Sequence, residues 1–150
     1  MKTIAAGPAG GAAFGAATSV VNALSSPYVE LGAPLAGSVW GDAAKVLSLL
    51  LDVGWAWAAL AVVMGYAAAT PARGAAAGAL ALLAATTTYY LTDSLILGDP
   101  LASYAGDLGL WSMASVLFGP VLGVAGATVG SPGVTGLLAG LTVRWVRPPR

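Results

Sequence analysis

The sequence predicts an all-α fold, a bundle of membrane-spanning helices, and three observations support that prediction. The apolar fraction of the 150 residues is 58%, and the mean hydropathy is +0.85. Charged residues make up only 8% of the chain, whereas a soluble domain carries about 25% because its surface must face water. The apolar residues also occur in runs close to the ~20 residues that a helix needs to cross a bilayer.

Composition excludes several classes of function. The chain contains no Cys and no His, which removes disulfides, thiolate metal sites, the commonest metal ligand and the usual general base. Six bases balance six acids, so no nucleic-acid partner is predicted. No phosphate loop, nucleotide fingerprint or Gly-x-Ser-x-Gly elbow occurs, and we expect neither an enzyme nor a cofactor. The abundance of Ala and Gly is typical of a GC-rich genome such as that of an actinobacterium.

Four spans are predicted in chain order. The first covers about 4–25, and glycines and a proline interrupt its apolar run, which favours a retained helix over a cleaved signal peptide. The second, about 50–70, ends at Pro71, because proline disfavours helix at the preceding residue. The third covers about 74–97 and the fourth about 108–130, with a polar loop between them.

The apolar stretch after the fourth span is predicted to form a short half-helix over 133–146 that does not cross the membrane. Its apolar part, 134–143, would be only ~15 Å long as a helix, half of the hydrocarbon thickness. The alternative is a fifth full span, which would carry the three C-terminal arginines to the outer side: Arg144, Arg147 and Arg150.

Basic residues predict the orientation, because Lys and Arg in short loops remain on the cytoplasmic side. With both termini cytoplasmic, Lys45 is the one basic residue outside. All six acids then fall on the outer side, although they were not used to choose the layout: Glu30, Asp42, Asp52, Asp93, Asp99 and Asp107. We therefore expect a multi-pass protein of the cytoplasmic membrane whose principal partner is the lipid bilayer.

A pair of carboxylates is the candidate polar site. Asp52 and Asp93 lie about equally far from the turn at Ala72, so both should sit ~30 Å up the same hairpin. Tyr89 lies one turn below Asp93 on the same helical face. One interpretation is a cation or proton site, or the mouth of a solute pathway, because acids within a membrane are costly. The other, which we favour, is that both carboxylates are interfacial and hydrated.

Glycine spacing predicts a helix-packing face on the fourth span. Four glycines recur at 4-3-4 intervals: Gly119, Gly123, Gly126 and Gly130. A face without side chains lets another helix approach closely. We expect that helix to belong to the same bundle; a second copy of the chain or another membrane protein is the alternative.

The stretch from Val53 to Val143 resembles an uncharacterised family of small actinobacterial integral membrane proteins. The similarity lies in Trp57 with the Ala-rich run to Gly65, Pro71-Ala72-Arg73-Gly74, Tyr89-Tyr90, Leu110-Trp111, Gly119-Pro120, Gly123 and Gly126. The resemblance implies a membrane location and a helix count, and it carries no activity. The leading expectation is a structural or accessory membrane protein without catalysis. The alternative is a small solute or ion transporter, or a subunit of one, using Asp52, Asp93 and Tyr89.

Overall fold

A computed structural model describes residues 2–129, with side chains from residue 6 onward, and this part of the chain is helical with no strand. Its helices are α1 (Lys2–Ser25), α2 (Val39–Asp52), α3 (Gly54–Ala68), α4 (Pro71–Leu97) and α5 (Ala105–Thr128). Two short 3-10 turns, Ala33–Leu35 and Leu101–Tyr104, precede α2 and α5. The predicted all-α class is confirmed for these residues.

Local sequence explains where several helices begin and end. The Ser38 hydroxyl accepts a hydrogen bond from the Gly41 N–H at 3.2 Å, which caps the start of α2. Pro71 occupies the first turn of α4, where its missing N–H is not needed. Gly98 ends α4 with a φ of 75°, a left-handed conformation that glycine adopts without steric cost.

Two stretches of the described chain are long and apolar enough to cross a membrane: α4 with 27 residues, and Leu101–Thr128 with 28. α2 and α3 meet the same criterion only as a pair, and the pair is bent by 60°. The structure thus gives two candidate spans, or three if the bent pair is a single span. α1, which is 24 residues long, is not among them.

The second predicted span differs from the observed helices. The prediction was one helix over about 50–70, whereas the structure has a break at Val53 and starts α3 at Gly54. Val53 has an extended backbone, with a ψ of 138°, which interrupts helical hydrogen bonding, and the glycine that follows is a poor helix former. The predicted half-helix over 133–146 lies outside the described residues.

α1 and α4 run parallel, and small residues set their register. Gly7, Gly11 and Gly15 of α1 face the backbone of Ala77, Ala81 and Ala85 in α4, in the same order. A β-carbon at Gly7 would lie 2.9 Å from the Ala77 carbonyl oxygen, closer than real β-carbons approach. The three alanines are fully buried. The two backbones therefore touch along a continuous line, as in small-xxx-small helix pairs.

α5 runs antiparallel to α4 and crosses α3 near the end of the bundle where α4 begins. Gly119 lies against Ala79, where a β-carbon would be 2.6 Å from the alanine Cα. Gly123 lies against Gly74 of α4 and Gly65 of α3. Glycine thus permits close approach among three helices at this end, which we call the packed end.

Candidate functional site

A cavity of about 590 Å³ opens between α3, α4 and α5, beyond the packed end. Along α5 its wall runs from Trp111 to Leu122, a length of about 16 Å. The residues lining it are Asp52, Gly54, Trp57, Ala58, Leu82, Thr86, Tyr89, Tyr90, Trp111, Ala114, Ser115, Phe118, Val121 and Leu122.

Aromatic rings and one carboxylate form the outer part of the cavity. The break at Val53 places Asp52 at the rim, between the end of α2 and the start of α3. The Trp57 and Tyr89 ring centroids are 6.2 Å apart, and those of Tyr89 and Tyr90 are 5.2 Å apart, both in edge-to-face arrangements. Such arrangements hold the rings through their quadrupoles. The rim is therefore a rigid aromatic surface beside a carboxylate.

The inner part of the cavity is apolar apart from one pair of hydroxyls. Thr86 of α4 and Ser115 of α5 lie 3.3 Å apart, and the Ser115 hydroxyl also donates to the Trp111 carbonyl at 2.7 Å. Around them the lining is aliphatic or aromatic: Leu82, Phe118, Val121 and Leu122. Below, the contact between Gly78 and Gly119 brings α4 and α5 together. The cavity is partly open to its surroundings, since Phe118 and Val121 in its lining are themselves largely exposed.

A separate hydrogen-bond network lies where α4 meets α1 and α2, which we call the polar network. The Ser19 hydroxyl donates to the Asp93 carboxylate at 2.6 Å. Asn22 donates to the Tyr89 hydroxyl at 3.0 Å and accepts from the Ser48 hydroxyl at 2.6 Å. Ser19 is fully buried and Asp93 is half-buried, so this hydrogen bond ties Asp93 of α4 to α1.

The structure divides the predicted carboxylate site in two. Asp52 lines the cavity, whereas Asp93 belongs to the polar network and does not line the cavity. Tyr89 joins the two regions, because its ring lines the cavity while its hydroxyl bonds to Asn22. Sequence reasoning missed Ser19, Asn22 and Ser48. A signal was present, since Ser19 and Asn22 are three residues apart and so share one face of an otherwise apolar helix.

The predicted glycine face lies within the bundle as far as the structure describes it. Gly119, Gly123 and Gly126 are buried, and Gly126 lies against the Val62 carbonyl of α3. Gly130 lies outside the described residues. The three described glycines serve the packing of α5 on α3 and α4, so they position α5 as one wall of the cavity.

Comparison with known proteins gives one match. Residues 53–144 match a family of unknown function, DUF6518. No curated protein and no solved structure matches the chain. The matched segment includes α3, α4 and α5, and it therefore includes every lining residue of the cavity except Asp52.

Proposed function

The chain belongs to DUF6518, a family of unknown function, and we propose that it is a non-catalytic, multi-pass protein of the cytoplasmic membrane with a structural or accessory role. The proposal includes four spans, with α1 as the first and the α2–α3 pair as the second, and cytoplasmic termini. The composition of the chain supports an actinobacterial type of host.

The observation that carries this proposal is the placement of polar side chains inside and apolar ones outside. Ser19 and Thr18 are fully buried, whereas Leu117, Phe118 and Val121 of α5 are each at least 60% exposed. A protein in water places its large apolar side chains inside, and extended exposed apolar surface marks contact with another apolar phase. Lipid is the phase that fits helices of this length.

α2 also directs a polar side chain towards the bundle and apolar side chains away from it. Its Ser48 hydroxyl points to Asn22 in α1. Its exposed residues include Val39, Trp40, Val46, Leu47 and Leu50. These five positions recur at helical spacing, so they share one face, which lies opposite Ser48. An apolar face directed away from the bundle supports α2 as a helix bathed by the membrane or its interface.

Helix direction supports the proposed orientation. α1 and α4 run parallel, as the first and third spans of a four-span protein must. Arg73 lies at the start of α4, and Lys2 lies at the start of α1, so both basic residues are at one end of the bundle. The acids Asp52 and Asp93 are towards the other end. Basic residues are retained in the cytoplasm, which places that first end inside.

Single-cysteine labelling tests the proposal, and the natural chain is suited to it because it contains no Cys. Lys45→Cys and Arg73→Cys each introduce a single thiol at an exposed position. In intact cells, a membrane-impermeant maleimide should label the Lys45→Cys variant alone, and both variants should react after permeabilisation. Labelling of both variants in intact cells contradicts a spanning α3–α4 hairpin, and the reverse pattern contradicts the orientation.

The cavity favours a second candidate, a small solute or ion transporter or a subunit of one. It extends from the carboxylate of Asp52 to the hydroxyls of Thr86 and Ser115. Proteoliposomes loaded with a pH-sensitive dye distinguish the two candidates. An accessory protein should add no proton flux to that of empty liposomes, whereas a flux that the Asp52→Asn variant abolishes would favour transport.

A further inference from the structure

The carboxylate at the cavity rim lacks a partner within residues 2–129. Asp52 makes no hydrogen bond or ion pair with any other residue in that range. Lys45 is the nearest base along the chain, and it is paired with Asp42 at 3.2 Å. Arg73 lies at the opposite end of α4. Asp52 is exposed at the rim of a largely apolar cavity, so its negative charge is available to a cation.

The aromatic rings that line the same cavity also attract cations. Trp57, Tyr89, Tyr90 and Trp111 all line the cavity. The face of an aromatic ring carries a negative quadrupole and attracts a cation within ≈ 6 Å of its centroid. Trp and Tyr are stronger in this respect than Phe. The site thus offers both a formal negative charge and several aromatic rings.

The remaining lining decides which cation fits. A calcium ion takes about six to eight oxygen ligands, whereas this cavity offers one carboxylate and a few hydroxyls in an otherwise apolar wall. An anion would face Asp52 without a compensating base. The volume of about 590 Å³ lies within the range of ≈ 300–1,000 Å³ found for small-molecule sites.

We propose that the cavity between α3, α4 and α5 binds a hydrophobic organic cation, with its charge at Asp52 and the aromatic rings and its apolar body against Leu82, Phe118 and Leu122. Such a ligand satisfies the carboxylate and the apolar wall at once. The inference goes beyond the proposed function, because an accessory protein and a transporter could both hold this ligand. The membrane location matters here only as the route by which a hydrophobic ligand would reach the cavity.

Binding of tetraphenylphosphonium tests the proposal directly. The full chain, purified in detergent, is dialysed to equilibrium against the labelled cation, with protein-free micelles as the blank. Tetraphenylborate, an anion of nearly the same shape, is the matched probe. We expect saturable binding of about one cation per chain and at least a tenfold lower affinity for the anion. Equal binding of the two ions, or no saturable binding of the cation by folded chain, overturns the proposal.

Three variants test whether the cation binds in this cavity. Asp52→Asn should weaken cation binding at least tenfold, whereas Asp42→Asn, which changes the net charge equally but lies outside the cavity, should leave it within twofold. Ala114→Trp fills the cavity from α5 and should abolish binding. If Asp52→Asn proves unfolded by circular dichroism, retention of binding by a folded Ala114→Trp variant is the contradicting result. Loss of cation binding would leave the membrane location untouched, since cysteine labelling reports that separately.

Discussion

α4 has two faces, which differ in how closely the neighbouring helices cover them. The first, which we call the α1 face, presents Ala77, Ala81 and Ala85 to the glycines of α1 and ends in the polar network. The second, which we call the cavity face, presents Leu82, Thr86 and Tyr90 to the space between α3 and α5. One neighbour that lies parallel closes the α1 face along its length. The cavity face is bordered by α3 and α5, which contact each other at the packed end and leave a space beside α4.

The difference shows that small residues permit close packing but do not produce it alone. Gly11 and Gly15 lie against alanine backbones, and at the packed end Gly119 lies against Ala79 while Gly78 lies against Gly119 and Gly123. Beyond that end, Ala58 and Ala114 line empty space. Large side chains, among them Trp57 and Trp111, line the same space, so the small residues there do not bring the helices together.

The largest expected effect is on the α1 face. Gly11→Leu would place a side chain where the Ala81 backbone already lies, so the two helices must separate. We expect a loss of about 3 kcal/mol in the free energy of unfolding, the upper end of the usual cost of overpacking, or failure to fold, because the clash is with backbone. Thermal unfolding of the purified protein measures it.

Gly109→Leu is the matched control for that change. Gly109 also lies in a helix, but a β-carbon there meets nothing within 4 Å. Its substitution should leave the unfolding temperature within a few degrees of the natural chain. A similar loss in both variants would mean that leucine disturbs these helices generally and that the α1 face is not specially tight.

A smaller effect is expected where the two faces differ in hydrogen bonding. Asn22→Ala removes the partner of both the Tyr89 and Ser48 hydroxyls, whereas Ser115→Ala removes one hydroxyl beside the open cavity. Hydrogen bonds between membrane helices contribute on average ≈ 0.6 kcal/mol each. We therefore expect a loss of about 1 kcal/mol for Asn22→Ala and about half of that for Ser115→Ala. Equal losses in chemical denaturation would contradict the distinction.

The smallest effect is expected for an ion pair on α2, which belongs to neither face of α4. Lys45→Ala breaks the ion pair with Asp42, whose two side chains are 53% and 72% exposed. Exposed pairs of this kind contribute about 0.2–1 kcal/mol, and often nothing measurable. A change larger than 1 kcal/mol in the same denaturation assay would show that α2 depends on this pair, and it would weaken the view that apolar contacts hold α2 in place.

The sequence predicts the helices better than it predicts their contacts. The scarcity of charged residues and the length of the apolar runs predict the all-α class, because both can be read directly from the sequence. The 4-3-4 spacing on α5 and the Gly7, Gly11 and Gly15 series on α1 are also visible in the sequence. The partner of the α1 series is not, because alanine occurs on every side of α4 and offers no distinguishing pattern. The register becomes apparent only when the two backbones are placed together.

The break at Val53 and the cavity were beyond sequence reasoning for physical reasons. Val46 to Val53 is an apolar run with Asp52 near its end, which is compatible with continuous helix, yet the backbone breaks at Val53. The cavity depends on how α3 and α5 pack on α4, which no short-range pattern encodes. Asp52 and Asp93 are separated for the same reason, since the packing of the helices places Asp52 at the cavity and Asp93 against α1.

Thiol reactivity at two alanines tests the contrast between the faces most directly. Ala85 is fully buried on the α1 face, and Ala114 lines the cavity. Each is replaced by Cys in the otherwise cysteine-free chain, and the rate of reaction with methyl methanethiosulfonate, a small neutral reagent, is measured on folded protein. We predict at least tenfold faster reaction for Ala114→Cys than for Ala85→Cys. Equal rates, or a faster rate for Ala85→Cys, would contradict a closed α1 face and an open cavity face.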